Sequence, residues 1–196
     1  MTRQQTQDTV LNALETYDPT QPVTVSKELA AYSQLATAIW LWFNYGDPVS
    51  IHTLAAASQG ILENSAGKNH QLPHMRNWTK KFSRRVQKIL RDPQNCFKHG
   101  WSGKKSLRYD PFIGSVIISD ACLLHQDLIG LTPSIKAFTI RYSFERGIVK
   151  PHELSKKITE GIVIRDLGSL SRPVFFETCL AGLNAAAVKA KLVKKR

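Results

Sequence analysis

His99 closes the run Gln94-Asn95-Cys96-Phe97-Lys98-His99-Gly100, and cations flank it on both sides in the chain. An imidazole, titrating at about 6.5 when unperturbed, can take a proton from a ribose 2′-hydroxyl or deliver one to a leaving oxygen. Nearby cations stabilise the charge that develops on a phosphorane. Asn95 precedes His99 by one helical turn, so a helix through this run puts both on one face, where Asn95 can hold a phosphate or orient the imidazole. The same spacing serves equally well to cap and pack a helix end, and spacing alone leaves both readings open. The other five histidines are plainer. His70 and His74 flank Pro73, which breaks the shared face a metal pair needs; His52 and His125 fall in amphipathic segments as boundary residues; His152 follows Pro151 in a first helical turn. No metal site and no cofactor is expected.

Charge surrounds this run. The 196 residues carry 27 Lys and Arg against 15 Asp and Glu, a formal +12. From Arg76 to Arg108 there are eleven cations (Arg76, Lys80, Lys81, Arg84, Arg85, Lys88, Arg91, Lys98, Lys104, Lys105 and Arg108) and one acid, Asp92. Lys189 to Arg196 adds five cations and no acid, so the remainder of the chain is slightly acidic. A solvated helix ordinarily interleaves both signs, because like charges one turn apart repel. A basic stretch that does not interleave them points to a polyanion, with RNA favoured over DNA, and to binding that weakens steeply with salt. Trp78, Trp101 and Tyr109 lie among these cations and could stack on bases, although Trp78 also sits on an apolar stripe. An acidic partner protein would satisfy the same charge.

The elements that must position these groups read as helices. Residues 1–25 form a polar arm interrupted by Asp18-Pro19 and Gln21-Pro22. Ser26 caps a helix carrying Leu29, Tyr32 or Ser33, Ala36, Ile39, Trp40 and Phe43, with Gly46 as its left-handed stop. Asp47-Pro48 starts a second, with the stripe Ile51, Leu54, Ala55, Ser58, Ile61 and Leu62, and the two form an antiparallel hairpin. Trp78, Phe82, Val86, Ile89 and Leu90 give a third amphipathic stripe that ends at Pro93, its other face being the basic one. Gln94 to Tyr109 reads as a helix terminus and basic loop. Asp110-Pro111 restarts a helical pattern through Phe112, Val116, Ile117, Ala121, Leu124 and Leu128, within which Ser115 to Ser119 is also short and apolar enough to be a strand. Thr132-Pro133 opens a helix ending near Gly147, Pro151 another, and Pro173 the last, which runs into the basic tail. The expectation is an all-α bundle of about five to seven helices, with an arm over 1–25, a bundle over 26–147 and a C-terminal extension over 148–196.

Several function classes are excluded or disfavoured. Neither a GxGxxG nor a P-loop sequence occurs, so dinucleotide or ATP use has no support. Cys96, Cys122 and Cys179 are odd in number and form no CxxC pair, which argues for reduced thiols. No helix pair shows the turn and short recognition helix of a sequence-specific DNA reader. The densest apolar run, Ala36 to Phe43, is far short of the ~20 residues a membrane span needs, and the first residues lack an apolar signal core; a cytoplasmic protein is expected.

The run QNCFKH, preceded by the helical segment GDPVSIHTLAAASQGIL, resembles HEPN-type domains of prokaryotes over roughly residues 26–146. These helical bundles carry an arginine, often followed by asparagine, then roughly four to six residues to a histidine. The resemblance implies a homodimer pairing two motifs, metal-independent cleavage of RNA, His99 as the acid/base and Asn95 as the polar residue after the arginine. Gln94 stands in the arginine's place. The stand-ins are Arg91, one turn earlier, and Lys98. The resemblance thus implies either an endoribonuclease or a non-catalytic nucleic-acid-binding relative.

Overall fold

The computed structural model describes residues 22, 24–66, 83–100, 106–148 and 168–193. These contain six helices and no strand, so the protein is all-α in its described part. The chain divides into two compact units between Leu131 and Thr132, and the junction expected at 147 lies within the second. The first unit holds α1 (Lys27–Phe43), α2 (Pro48–Ala66), α3 (Arg84–His99) and α4 (Phe112–Leu128); the second holds α5 (Pro133–Glu145) and α6 (Arg172–Val193). The expected helix at Pro151, along with His70, His74, Trp78, Phe82, Trp101 and His152, lies outside the described residues.

The helix starts follow their local chemistry. Ser26 Oγ accepts from the Leu29 amide at 3.1 Å, and Asp47 Oδ2 accepts from Ser50 at 2.7 Å, which supplies an acceptor to an otherwise orphan first-turn donor in each case. The stop of α1 differs from the expectation. Tyr45, not Gly46, adopts the left-handed conformation (φ 54°), and the Gly46 amide donates back to the Leu41 carbonyl at 2.8 Å. The approach at Gly46 is close, since a Cβ would meet Leu41 Cδ2 at 2.8 Å and that side chain would have to shift.

α2 packs against each of the other three helices of its unit. Its buried face, Ile51, His52, Ala55, Ala56, Ser58, Gln59 and Leu62, includes three polar residues, and these have partners on its neighbours. Ser58 Oγ donates to the Ala31 carbonyl of α1 at 2.8 Å, and Gln59 Nε2 donates to Asp120 Oδ2 of α4 at 2.6 Å. Such bonds fix helix register, because a buried polar group left unpaired costs about 1–3 kcal/mol. Trp42 adds a third link, its indole N–H donating to Ser115 Oγ of α4 at 2.8 Å. Trp42 is therefore the core tryptophan of α1, and Trp40, expected on the stripe, is 53% exposed. Two residues apart on a helix means roughly 200° apart, so only one of the pair can face the core. In α4 the segment from Ser115 is helical, and Ile113, Ile117, Ile118, Ala121 and Leu124 are buried while Phe112 stays exposed.

α3 departs most from the sequence reading. It does not end at Pro93 but continues through it to His99, where Gly100 (φ 66°) terminates it and donates to the Cys96 carbonyl. A proline inside a helix costs about 3 kcal/mol through a lost hydrogen bond and a ring clash. Packing beyond the proline offsets this: Pro93 is buried, and the Phe97 ring stands edge-on to His52 of α2 (5.4 Å) and to Tyr109 (5.2 Å). Conversely, Val86 and Ile89, expected on the buried stripe, are exposed.

In the second unit, Thr132 caps α5 and Gly147 (φ 66°) follows its end. Glu145 accepts from Arg141 Nε at 2.9 Å and from the Arg172 fork at 3.0 and 2.7 Å, which ties α5 to α6. Burial alone raises the Glu145 carboxyl, but hydrogen bonds from Arg172 and Arg141 outweigh it and hold the group below its usual range. The buried Arg141 guanidinium also lies 5.3 Å from the Phe175 ring centre.

Candidate nucleic-acid interface

α3 projects its charge as a stripe. At about 100° per residue, Arg84, Lys88, Arg91, Asn95 and Lys98 fall within an arc of about 80° over a length of roughly 20 Å. All five are exposed, and Asn95 stands near the middle of the arc. Among the described residues none of the four cations makes an ion pair; the ion pairs seen involve Glu145 in the other unit. Arg85 is also exposed but lies about 60° outside the arc, so the stripe is narrower than the sequence implies. Arg108 is exposed on the segment that leads into α4. Arg76, Lys80, Lys81, Lys104 and Lys105 lie outside the described residues, as do the side chains of the C-terminal basic tail.

The charge works against the helix that carries it. The first turn of α3 holds Arg84 and Arg85 and no acid, and Ser83 makes no side-chain cap. Cations at the positive end of a helix dipole cost about 0.3–1 kcal/mol each. Repulsion between Arg84 and Lys88, one turn apart, adds to this.

Continuity through Pro93 changes the geometry of the chemical candidates. Arg91, Asn95 and residue 99 stand at i, i+4 and i+8 of one helix, so the proline does not part them. The described part of His99 is its backbone, as the last residue of α3. Gln94 is half-buried and turns toward α2, while Asn95 faces outward. Lys98 belongs to both settings: it closes the basic stripe and lines a groove of about 390 Å³ between α2 and α3. A second groove, of about 470 Å³, lies on the other flank of α3 and is lined by Ile89, Asp92, Pro93, Arg108 and Tyr109 among others.

No family model, curated protein or solved structure matches the chain. The chemistry of the face therefore stands on these residues alone. Among the described residues no three His, Cys, Asp or Glu side chains gather as metal ligands, and no helix is long and apolar enough to cross a membrane.

Two histidines expected within amphipathic helices, at the boundary of the buried face, are fully buried. The His125 ring packs 5.5 Å from Tyr32 and its Nδ1 donates to the Gly130 carbonyl at 2.8 Å. His52 lies beneath Phe97 and Tyr109, with Tyr109 Oη 3.2 Å from its Nδ1 and, among the described residues, no hydrogen-bond partner for Nε2. Burial pushes the His52 imidazole down to about 4. Tyr109, placed among the cations by sequence, is thus held in the packing beneath α3 and supports the face from within. The thiols divide likewise: Cys122 and Cys179 are buried and raised by burial, the latter to about 11, whereas Cys96 is partly exposed. The groove between α2 and α3 had no sequence signal, because it exists only once the two helices pack.

Proposed function

We infer that this chain acts on RNA, holding the sugar–phosphate backbone of a single strand along the outward face of α3. The observation that carries this reading is the row Arg84, Lys88, Arg91 and Lys98, all exposed, on one arc and without ion-pair partners among the described residues. A face kept cationic at a cost to its own helix is stabilised when phosphates lie against it and release their counterions. Four phosphates neutralised on a single strand give a slope of about −3 in log Kobs against log salt. Fluorescence anisotropy of a labelled RNA, titrated with the full chain over about 50 to 200 mM salt, measures it. Binding indifferent to salt, or no binding, overturns the reading. An acidic protein that co-elutes with the chain after nuclease treatment would then account for the charge.

A second reading, metal-independent cleavage of RNA by a HEPN-like homodimer, is favoured by one observation: Arg91, Asn95 and residue 99 succeed one another at single turns of an unbroken helix. Arg91 would clamp the scissile phosphate in the place of the family's arginine, Asn95 would orient, and His99 would move the proton. In this reading His99→Ala abolishes cleavage and leaves RNA affinity intact. Wild-type protein that binds RNA and cleaves none of several sequences leaves the non-catalytic module.

A further inference from the structure

The groove between α2 and α3 differs in character from the charged face beside it. α2 contributes Ala56, Ala57, Gly60 and Asn64, and α3 contributes Gln94 and Lys98. Its volume of about 390 Å³ falls in the range of small-molecule sites, and its walls pair small apolar surface with two carboxamides. Each carboxamide offers both a donor and an acceptor, the pair that a base edge presents in return. Lys98 decides what can occupy it. A phosphate held by this last cation of the stripe leaves its own nucleotide beside the groove mouth. Single-stranded RNA can splay such a base out, whereas a duplex holds its bases in pairs.

Gly60 is the second observation. It lies in the interior of α2, where glycine is less favourable than alanine, and a Cβ built on it meets nothing within 4 Å. No close approach among the described residues requires a glycine there. The open space over this backbone belongs to the groove.

We propose that the groove between α2 and α3 receives one unstacked nucleobase of the bound RNA, read by Asn64 and Gln94 while Lys98 holds the adjoining phosphate. This rests on the single-strand RNA reading above and adds that the strand must carry bases. The test uses the full chain with two labelled probes of equal length and charge, a single-stranded RNA oligonucleotide and an abasic strand. Wild type is expected to prefer the intact strand by about ten-fold, at the low end of what a good hydrogen-bonded base contact supplies. Gly60→Leu fills the groove from the helix interior without touching a cation. It should bring the preference close to unity with the salt slope and melting temperature preserved. Gln94→Ala, on the opposite wall, should lower the same preference if the leucine variant proves unfolded. Equal, salt-dependent binding of both probes by wild type overturns the groove and spares the charged face, as does an undiminished preference in folded Gly60→Leu and Gln94→Ala. Failure of wild type to bind either probe overturns the RNA reading and this proposal with it.

Discussion

Reversing two charges, Arg84→Glu with Lys88→Glu, is expected to weaken RNA binding by roughly 100-fold or more at low salt and to reduce the salt slope by about 0.7 for each phosphate that no longer meets a cation. The two positions lie one turn apart on the stripe, both exposed and neither paired among the described residues. Their replacement therefore removes no packing. The effect on the fold should be small, because an acid at position 84, in the first turn, complements the helix dipole by about 0.3–1 kcal/mol where the arginine opposes it. Weakened binding in a protein that melts no lower than wild type separates a phosphate-facing surface from one that merely folds badly when altered. Anisotropy and thermal melting on the same preparation decide it. A double variant that binds as wild type does would remove the stripe from any account of function.

The parts of this fold that were legible in the sequence are those governed by a few neighbouring residues. Ser26, Asp47-Pro48 and Thr132-Pro133 open helices because a capping oxygen and a preset φ act within one turn. The basic stripe was legible for the same reason, since charge at helical spacing needs no knowledge of what packs behind it. Where packing decides, local rules gave way. Pro93 reads as a terminator, yet Phe97 meets the rings of His52 and Tyr109 only if the helix continues past it. Trp40 and Trp42 are equivalent in composition, and the hydrogen bond to Ser115, 73 residues away, accompanies the one that is buried. His52 and His125 looked like boundary residues because their neighbours are mixed in polarity; their burial depends on aromatic partners from other helices or from the segment ahead of α4.

These corrections converge on the site. The helix that bears the cations is held to α2 through its C-terminal half, by Phe97 against His52 and beside a buried Pro93, while Val86 and Ile89 in its N-terminal half stay exposed. The unbroken helix also gives Arg91, Asn95 and residue 99 a common face, and it turns Gln94 inward to the groove. Gln94 thus stands among the groove-lining groups, apart from the exposed cationic row.

Because α3 rests on His52, the first unit should lose stability on mild acidification by an amount that histidine dictates. The buried imidazole titrates at about 4, and in the unfolded chain it returns to about 6.5. Above the unfolded value both states hold it neutral, so it adds no pH dependence. As the pH falls below about 6.5 the unfolded chain takes up a proton that the folded chain refuses, so stability declines with falling pH and levels off only below about 4. Between about pH 7.5 and 5 the loss amounts to about 2 kcal/mol. Tyr109 stays protonated throughout, since burial pushes its phenol up to about 12. An imidazolium would have two N–H donors and, with Nε2 unpartnered, only the phenol oxygen to receive one of them. Urea unfolding across this range measures the slope above the region where carboxylates such as Glu145 begin to titrate. In His52→Leu the decline should shrink by about 2 kcal/mol, whatever the variant's stability at neutral pH. A variant whose stability falls as steeply as wild type would mean that the imidazole beneath α3 takes its proton as readily folded as unfolded, and that the anchoring of the basic face is not closed to water.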